Sequence, residues 1–214
     1  MRSVLIIGAG QFGSHVARTM SELRCEIMAI DIDEQSVNNI MPYVTNAQIG
    51  DATNAEFLRS LGVSDYDVCI VSIGDNFQSS LEITALLKEL GASEVISRAS
   101  NDVQEKFLLR NGADEVVYPE KQSARRLAIK LSSDAILDFI ELDSDHSIYE
   151  MAMPRDWIGK SLVQLDVRRK HNVNIISLKR NGKLILPGAD TVMSDGDVLY
   201  VIGDMKDLRK CFRI

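Results

Sequence analysis

The residues best suited to chemistry stand in the first 53 positions. Gly8-Ala9-Gly10-Gln11-Phe12-Gly13 is a G-x-G-x-x-G run that follows the aliphatic stretch Ser3–Ile7 and opens a segment with helical spacing of apolar residues. In that setting the glycines have separate duties. Gly8 permits a tight turn, Gly10 lets a pyrophosphate approach the backbone, and Gly13 lets helix and strand pack closely. The helix opening at Gln11 and Phe12 adds free N–H groups and a positive partial charge. Asp31 ends the second apolar run at about the spacing expected of a ribose-binding acid. Its carboxylate can accept hydrogen bonds from both ribose hydroxyls and would repel a 2′-phosphate, which disfavours NADP; Ile32 follows at the same edge. The alternative duty for an acid here, a helix cap, fits Asp33 better, because Asp33 directly precedes the helical stretch from Glu34.

Further polar groups recur where later strands should end. Gly50-Asp51-Ala52-Thr53 follows a short third strand; Asp51 and Thr53 either cap the next helix or lie beside the adenine and ribose, and both can hold. Ser72-Ile73-Gly74-Asp75-Asn76 follows the fourth strand, at the carboxyl edge where such sheets bind ligands. Arg98 ends the fifth strand, either as a phosphate ligand or as a surface arginine. Glu120 follows the sixth, either holding a cation that bridges phosphates or favouring a helix dipole. Acid–base chemistry is poorly provided for. The histidines are His15, His146 and His171, and none falls at a strand end of the first two-thirds. No Ser/His/Asp pattern, paired carboxylates or metal-ligand cluster stands out near an expected nicotinamide. The residues favour a module that reads a nucleotide without converting it, over an NAD-dependent oxidoreductase with a small second domain.

These residues need a scaffold, and the sequence supplies one. Strand signals at Ser3–Ile7, Glu26–Ile30, Ala47–Ile49, Val68–Ser72, Glu94–Ser97 and Glu115–Tyr118 alternate with helical segments at Gln11–Leu23, Glu34–Ile40, Asn54–Leu61, Phe77–Leu90 and Val103–Arg110. Gly91 and Gly112 end the last two helices. Six strands so separated predict a doubly wound α/β, Rossmann-like parallel sheet. Ser123–Ile140 then reads as helical with no strand signal, and its apolar residues exceed one core-facing stripe. It is either a crossover helix with a broad apolar face or an exchanged, dimer-forming helix. A small α+β domain should follow over 141–214, after a first domain over 1–140. Its signals are a strand up to Pro154, a helix over Lys160–Arg169, a hairpin at Asn181-Gly182, a strand over Val198–Ile202 and a closing helix over Asp204–Phe212. A unit this small favours a partner surface.

Composition narrows the setting. The net charge of −7 argues against bulk nucleic-acid binding. Cys25, Cys69 and Cys211 are scattered and lack zinc or disulfide spacing; Cys25 and Cys69 read as buried hydrophobes, which fits a reducing compartment. No apolar run approaches the ~18 residues a bilayer demands, and the opening run lacks the features of a signal peptide. The expectation is a cytoplasmic protein without membrane insertion of its own.

The motifs together resemble a known family. Val4–Gly13, Met28–Asp33, Gly50–Thr53, Val71–Asn76, Asn111–Lys121, Gly188-Ala189-Asp190 and Asp195–Leu199 are similar to the RCK/KTN (TrkA-type) regulatory subunits of bacterial Ktr-like potassium uptake systems. The resemblance spans the chain. It implies an RCK-N nucleotide domain and an RCK-C ligand-sensing and dimerisation domain. It further implies a homo-oligomer, usually an octameric ring of dimers, docked at the inner face of the cell membrane beneath a potassium-transporting subunit. ATP or ADP would reshape the ring: Gly8, Gly10 and Gly13 hold phosphates, Asp31 the ribose, Asp51 and Thr53 the adenine side, with Arg98 near the phosphates. Glu120 matches the position that holds a divalent cation or sodium. Gln11 departs from the pattern, since many relatives carry an arginine there and glutamine cannot supply its charge. NAD(H) therefore stands beside ATP and ADP. The C-terminal domain of similar proteins can bind cyclic di-AMP, and the matching stretch includes Arg168, Arg169, Asn174, Ile175 and Pro187.

Overall fold

A stretch such as Val4-Leu5-Ile6-Ile7, apolar at every position, is stable as a strand only when both faces of its sheet are covered. That is its environment here. The computed structural model describes residues 1–143 and 145–214, which divide into two compact units, Met1–Glu120 and Lys121–Ile214. In the first, β1 (Ser3–Ile7), β2 (Glu26–Asp31), β3 (Asn46–Ile49), β4 (Val68–Val71), β5 (Val95–Arg98) and β6 (Glu115–Val117) form one parallel sheet in the order β3-β2-β1-β4-β5-β6. This is the doubly wound order, whose topological switch point lies between β1 and β4. Val4 and Ile6 pack into the core on one face and Leu5 and Ile7 into that on the other, so the two-residue period of the strand serves two cores.

The intervening helices are α1 (Gln11–Glu22), α2 (Glu34–Ile40), α3 (Ala55–Ser60), α4 (Phe77–Glu89) and α5 (Asp102–Arg110). Asp33 caps α2, accepting from the Ser36 N–H at 2.9 Å. The cap of α3 is Asn54, bonded to the N–H groups of Glu56 and Phe57, rather than Asp51 or Thr53. Gly91 and Gly112 take positive φ after α4 and α5, a conformation that only glycine adopts freely.

The second unit opens within α6 (Pro119–Leu131) and continues with β7 (Ile136–Glu141), β8 (Ser147–Ala152), α7 (Leu162–Leu165), α8 (Val167–His171), β9 (Asn174–Arg180), β10 (Lys183–Ile185), β11 (Val198–Gly203) and α9 (Met205–Phe212). Its antiparallel sheet runs β10-β9-β11-β8-β7. The helical reading of Ser123–Ile140 needs correction. The helix starts earlier and stops at Leu131, and 136–141 is a strand paired with β8. A register shift between Ile136 and Asp138 leaves the buried Ile136 and Phe139 three apart, which in sequence imitates a helical stripe. The strand ties itself to α6 through Arg126–Asp138 at 2.5 Å and an Arg125–Glu141 pair, so the units part at Glu120/Lys121 rather than at residue 140. The single helix over Lys160–Arg169 is two short ones, broken where Asp166 takes φ 48°. The hairpin forms as read: Asn181 (φ 51°) and Gly182 (φ 78°) turn β9 into β10. Cys69 and Cys211 are buried, whereas Cys25 is only half-buried because it sits in the turn before β2.

Candidate functional site

All six strands of the first sheet run the same way, so their carboxyl ends share one edge, and each polar motif lies just past one of those ends. They enclose a cleft of about 440 Å³. The β1–α1 turn supplies Gly8, Gly10 and Gln11, and β2 supplies Asp31 and Ile32. Gly50, Asp51, Ala52 and Thr53 follow β3, Ser72 to Asn76 follow β4, and Arg98 ends β5. Every nucleotide-site residue expected from the sequence lines this cleft except Phe12 and Gly13. Gly13 has a packing duty instead: a Cβ there would strike the Gly8 carbonyl oxygen and come within 2.7 Å of Ser72 Oγ. Phe12 lies under Arg98, its ring centroid 5.8 Å from the guanidinium carbon.

The glycine turn is fastened from two sides. Gly8 takes φ +100° and donates to the Ile30 carbonyl at 2.8 Å. Ser72 Oγ lies in hydrogen-bond contact with the carbonyl oxygens of Ile7 and Gly8, so its proton is committed to the backbone. Asp31 Oδ2 accepts from the Ala9 N–H at 2.6 Å, and Oδ1 from the Asp33 N–H at 2.9 Å. The acid is thus bolted to the turn, and each oxygen keeps a lone pair for a ligand. Asp51 Oδ1 accepts from Thr53 Oγ1 (2.7 Å) and the Thr53 N–H (2.9 Å); these bonds hold its carboxyl below the usual carboxylate range. No side chain caps α1 and no acid occupies its first turn, so its first N–H groups remain available to an anion.

Arg98 is the cation of the cleft. One guanidinium nitrogen pairs with Glu120 Oε1, another lies beside Gly74, and Nε is buried with no partner. Glu120 is in the first turn of α6; its own backbone N–H and Arg98 hold its carboxyl below the usual range. Among the described residues no three His, Cys, Asp or Glu side chains gather to hold a metal. Glu120 alone offers one carboxylate, so a cation there would draw its other ligands from phosphate and water oxygens.

The cleft also contains residues that sequence reasoning did not single out. Ile7 and Ile30 form part of its lining, and their places at the ends of β1 and β2 were a usable signal. Ser79 and Ile83 enter from α4. The N–H of Ser79 bonds to the capping Asn76 side chain, and Ile83 has the spacing of any core residue, so nothing in the sequence marked it.

In the second unit Arg168 and Arg169 lie exposed on α8, Asn174 and Ile175 open β9, and Pro187 follows β10. A groove in the same unit is lined by other residues, among them Trp157, Lys160, Lys170 and His171.

A doubly wound parallel sheet with a glycine turn after β1 and an acid at the end of β2, followed by a small antiparallel unit, defines a Rossmann-like protein with a second α+β domain. Comparison with known proteins agrees. The TrkA-N domain matches residues 4–119 and the TrkA-C domain residues 147–214. The chain belongs to the TrkA-type (RCK/KTN) family of potassium-uptake regulatory subunits. It is 39% identical over 206 residues to the Ktr system potassium uptake protein C of Bacillus subtilis (strain 168), covering 96% of this chain and 93% of that one. Identity to the Ktr system potassium uptake protein A of the same organism is 34% with the same coverage. Among solved structures, the GsuK RCK domain superposes with a TM-score of 0.69 at 18% identity, over all of this chain and 47% of the other. The GsuK channel bound to NAD gives 0.69 at 16%, over 99% of this chain and 39% of the other. Those likenesses show the fold, and this chain spans less than half of either. The family is one of transport regulators, not enzymes, which removes the oxidoreductase alternative.

Proposed function

We propose that this protein is the cytoplasmic, nucleotide-sensing gating subunit of a potassium uptake system, and that the cleft of its first unit takes ATP or ADP, with NAD(H) as the second candidate. The observation that carries the reading is the bond from the Ala9 N–H to Asp31 Oδ2. It fixes a ribose-binding acid against a phosphate-binding turn, so that one nucleotide can engage both. Gln11 is neutral where the phosphates should lie, which is the reason NAD(H) stays in contention.

In this reading the protein works as a homo-oligomer, an octameric ring of dimers at the inner face of the membrane, beneath a potassium-conducting subunit. Ligands act only by binding one ring geometry better than another. Glu120 holds a divalent cation or sodium against the terminal phosphate. The second unit takes cyclic di-AMP through Arg168, Arg169, Asn174, Ile175 and Pro187. Calorimetry on the nucleotide-free protein tests the core of this. ATP or ADP should bind, and Asp31→Ala should weaken binding about 10- to 100-fold through loss of charged hydrogen bonds. Equal affinity of the variant and wild type would sink the assignment of Asp31; a clear preference for NADH would move the ligand to the dinucleotide.

A further inference from the structure

The cleft contains an imbalance. Its lining carries one cation, Arg98, against three carboxylates, Asp31, Asp51 and Asp75, and Gln11 adds no charge. A phosphorylated ligand therefore depends on Arg98 for side-chain countercharge, yet Arg98 is engaged with Glu120. The engagement is incomplete. A guanidinium has five N–H donors arranged for fork-like binding of an anion, and the Nε donor of Arg98 is buried with nothing to bond. The guanidinium nevertheless has a fixed seat. It lies over the Phe12 ring, and only the missing side chain of Gly74 makes room, since a Cβ there would come 2.5 Å from Nη1.

We propose that Glu120 is an internal competitor for the phosphate subsite: it occupies Arg98 in the empty cleft and yields it when a phosphate arrives. This rests on the nucleotide reading above and adds the specificity element to it. A phosphate in the cleft can take both terminal nitrogens in the fork geometry, whereas Glu120 pairs with Nη2 alone. Affinity for the phosphate portion is then set by the difference between two anions for one guanidinium, so the protein discriminates ligands by phosphate charge without an arginine at position 11. The exchange also frees the Glu120 carboxylate, so that it can accept a cation only after the phosphate has taken Arg98. Glu120 stands in the first turn of α6, the helix that carries the chain past the unit boundary at Lys121, so the exchange is felt at the start of that helix.

The test is calorimetry in EDTA, which removes any cation role, with adenosine, AMP and ADP as probes on wild type, Glu120→Gln, Arg98→Lys and the double variant. Competition predicts that Glu120→Gln binds AMP and ADP about fivefold more tightly, the scale of a partly exposed ion pair. Adenosine, having no phosphate, should bind both proteins alike. Arg98→Lys should weaken AMP and ADP and shrink the gain from Glu120→Gln, because lysine lacks the fork. Thermal melts of each variant establish that it is folded. A gain shared by adenosine, or nucleotide affinity that Glu120→Gln leaves unchanged or lowers in EDTA, overturns the competitor role alone. A wild-type protein that binds none of the phosphorylated probes overturns the nucleotide reading with it.

Discussion

The two units place their polar residues by different rules. In the first, parallel strands deliver residues far apart in sequence, from Gly8 to Arg98, to one edge, where they line a single cleft. In the second, antiparallel strands send alternate ends to opposite edges, and Arg168, Arg169 and Asn174 stay exposed. Topology explains the contrast: a parallel sheet gathers the loops after its strands at one carboxyl edge, whereas an antiparallel sheet distributes them between two. The charged pairs follow suit. Arg180–Asp197 in the second unit has its acid fully buried, while Arg98–Glu120 in the first lies at the cleft.

Perturbing one unit at a time should show how separate these roles are. The largest effect is expected at Arg180. Its fork holds Asp197 at 2.7 and 2.6 Å, and the Asp197 side chain is fully buried. Arg180→Ala strands that carboxylate and should cost the second unit about 3–5 kcal/mol, while nucleotide affinity of the first unit survives. Denaturant titration followed by calorimetry checks both halves, and loss of nucleotide binding would mean that the units depend on each other. Next comes Gly13→Ala, which drives a Cβ into the Gly8 carbonyl. A cost of about 1–3 kcal/mol is expected in the first unit, with nucleotide affinity falling as the turn is displaced. A smaller effect, about 1 kcal/mol, should follow Asn54→Ala, which removes the α3 cap. It lies just outside the cleft, so chemical denaturation should register it while nucleotide affinity hardly moves.

The smallest effect is a pH dependence in the second unit. The Arg126 fork holds the Asp138 carboxyl at about 2, against an ordinary 3.8. A pKa depressed by folding contributes stability that is full above the ordinary value and disappears as pH falls through the folded one. Arg126→Met should therefore lower the melting temperature by a constant amount above about pH 4, and the gap should close toward pH 2. A gap that persists at pH 2 would assign the loss to packing of the arginine stem instead.

Much of the first unit was legible in the sequence, for a physical reason. Strands buried on both faces must be apolar throughout, and a turn that approaches a pyrophosphate must be glycine, so Val4–Ile7 and Gly8–Gly13 announced themselves. Asp33 as the cap of α2 and Asn181-Gly182 as a hairpin turn were equally local and equally readable. β7 was hidden because its bulge gives Ile136 and Phe139 a helical spacing. The cap of α3 was misplaced because Asp51, Thr53 and Asn54 are all chemically able to serve, and geometry chose Asn54.

What the sequence by itself determined was therefore the kind of fold, the glycine turn and the acid at the end of β2, since each depends on interactions within a few residues or on a simple period. The tertiary structure alone decided how these groups meet. Asp31 bonds to Ala9 across 22 positions, Ser72 to the β1 turn across 64 and 65, and Arg98 to Glu120 across 22. Those contacts arise from the order of strands in the sheet, a property of the whole packed unit that no local pattern encodes.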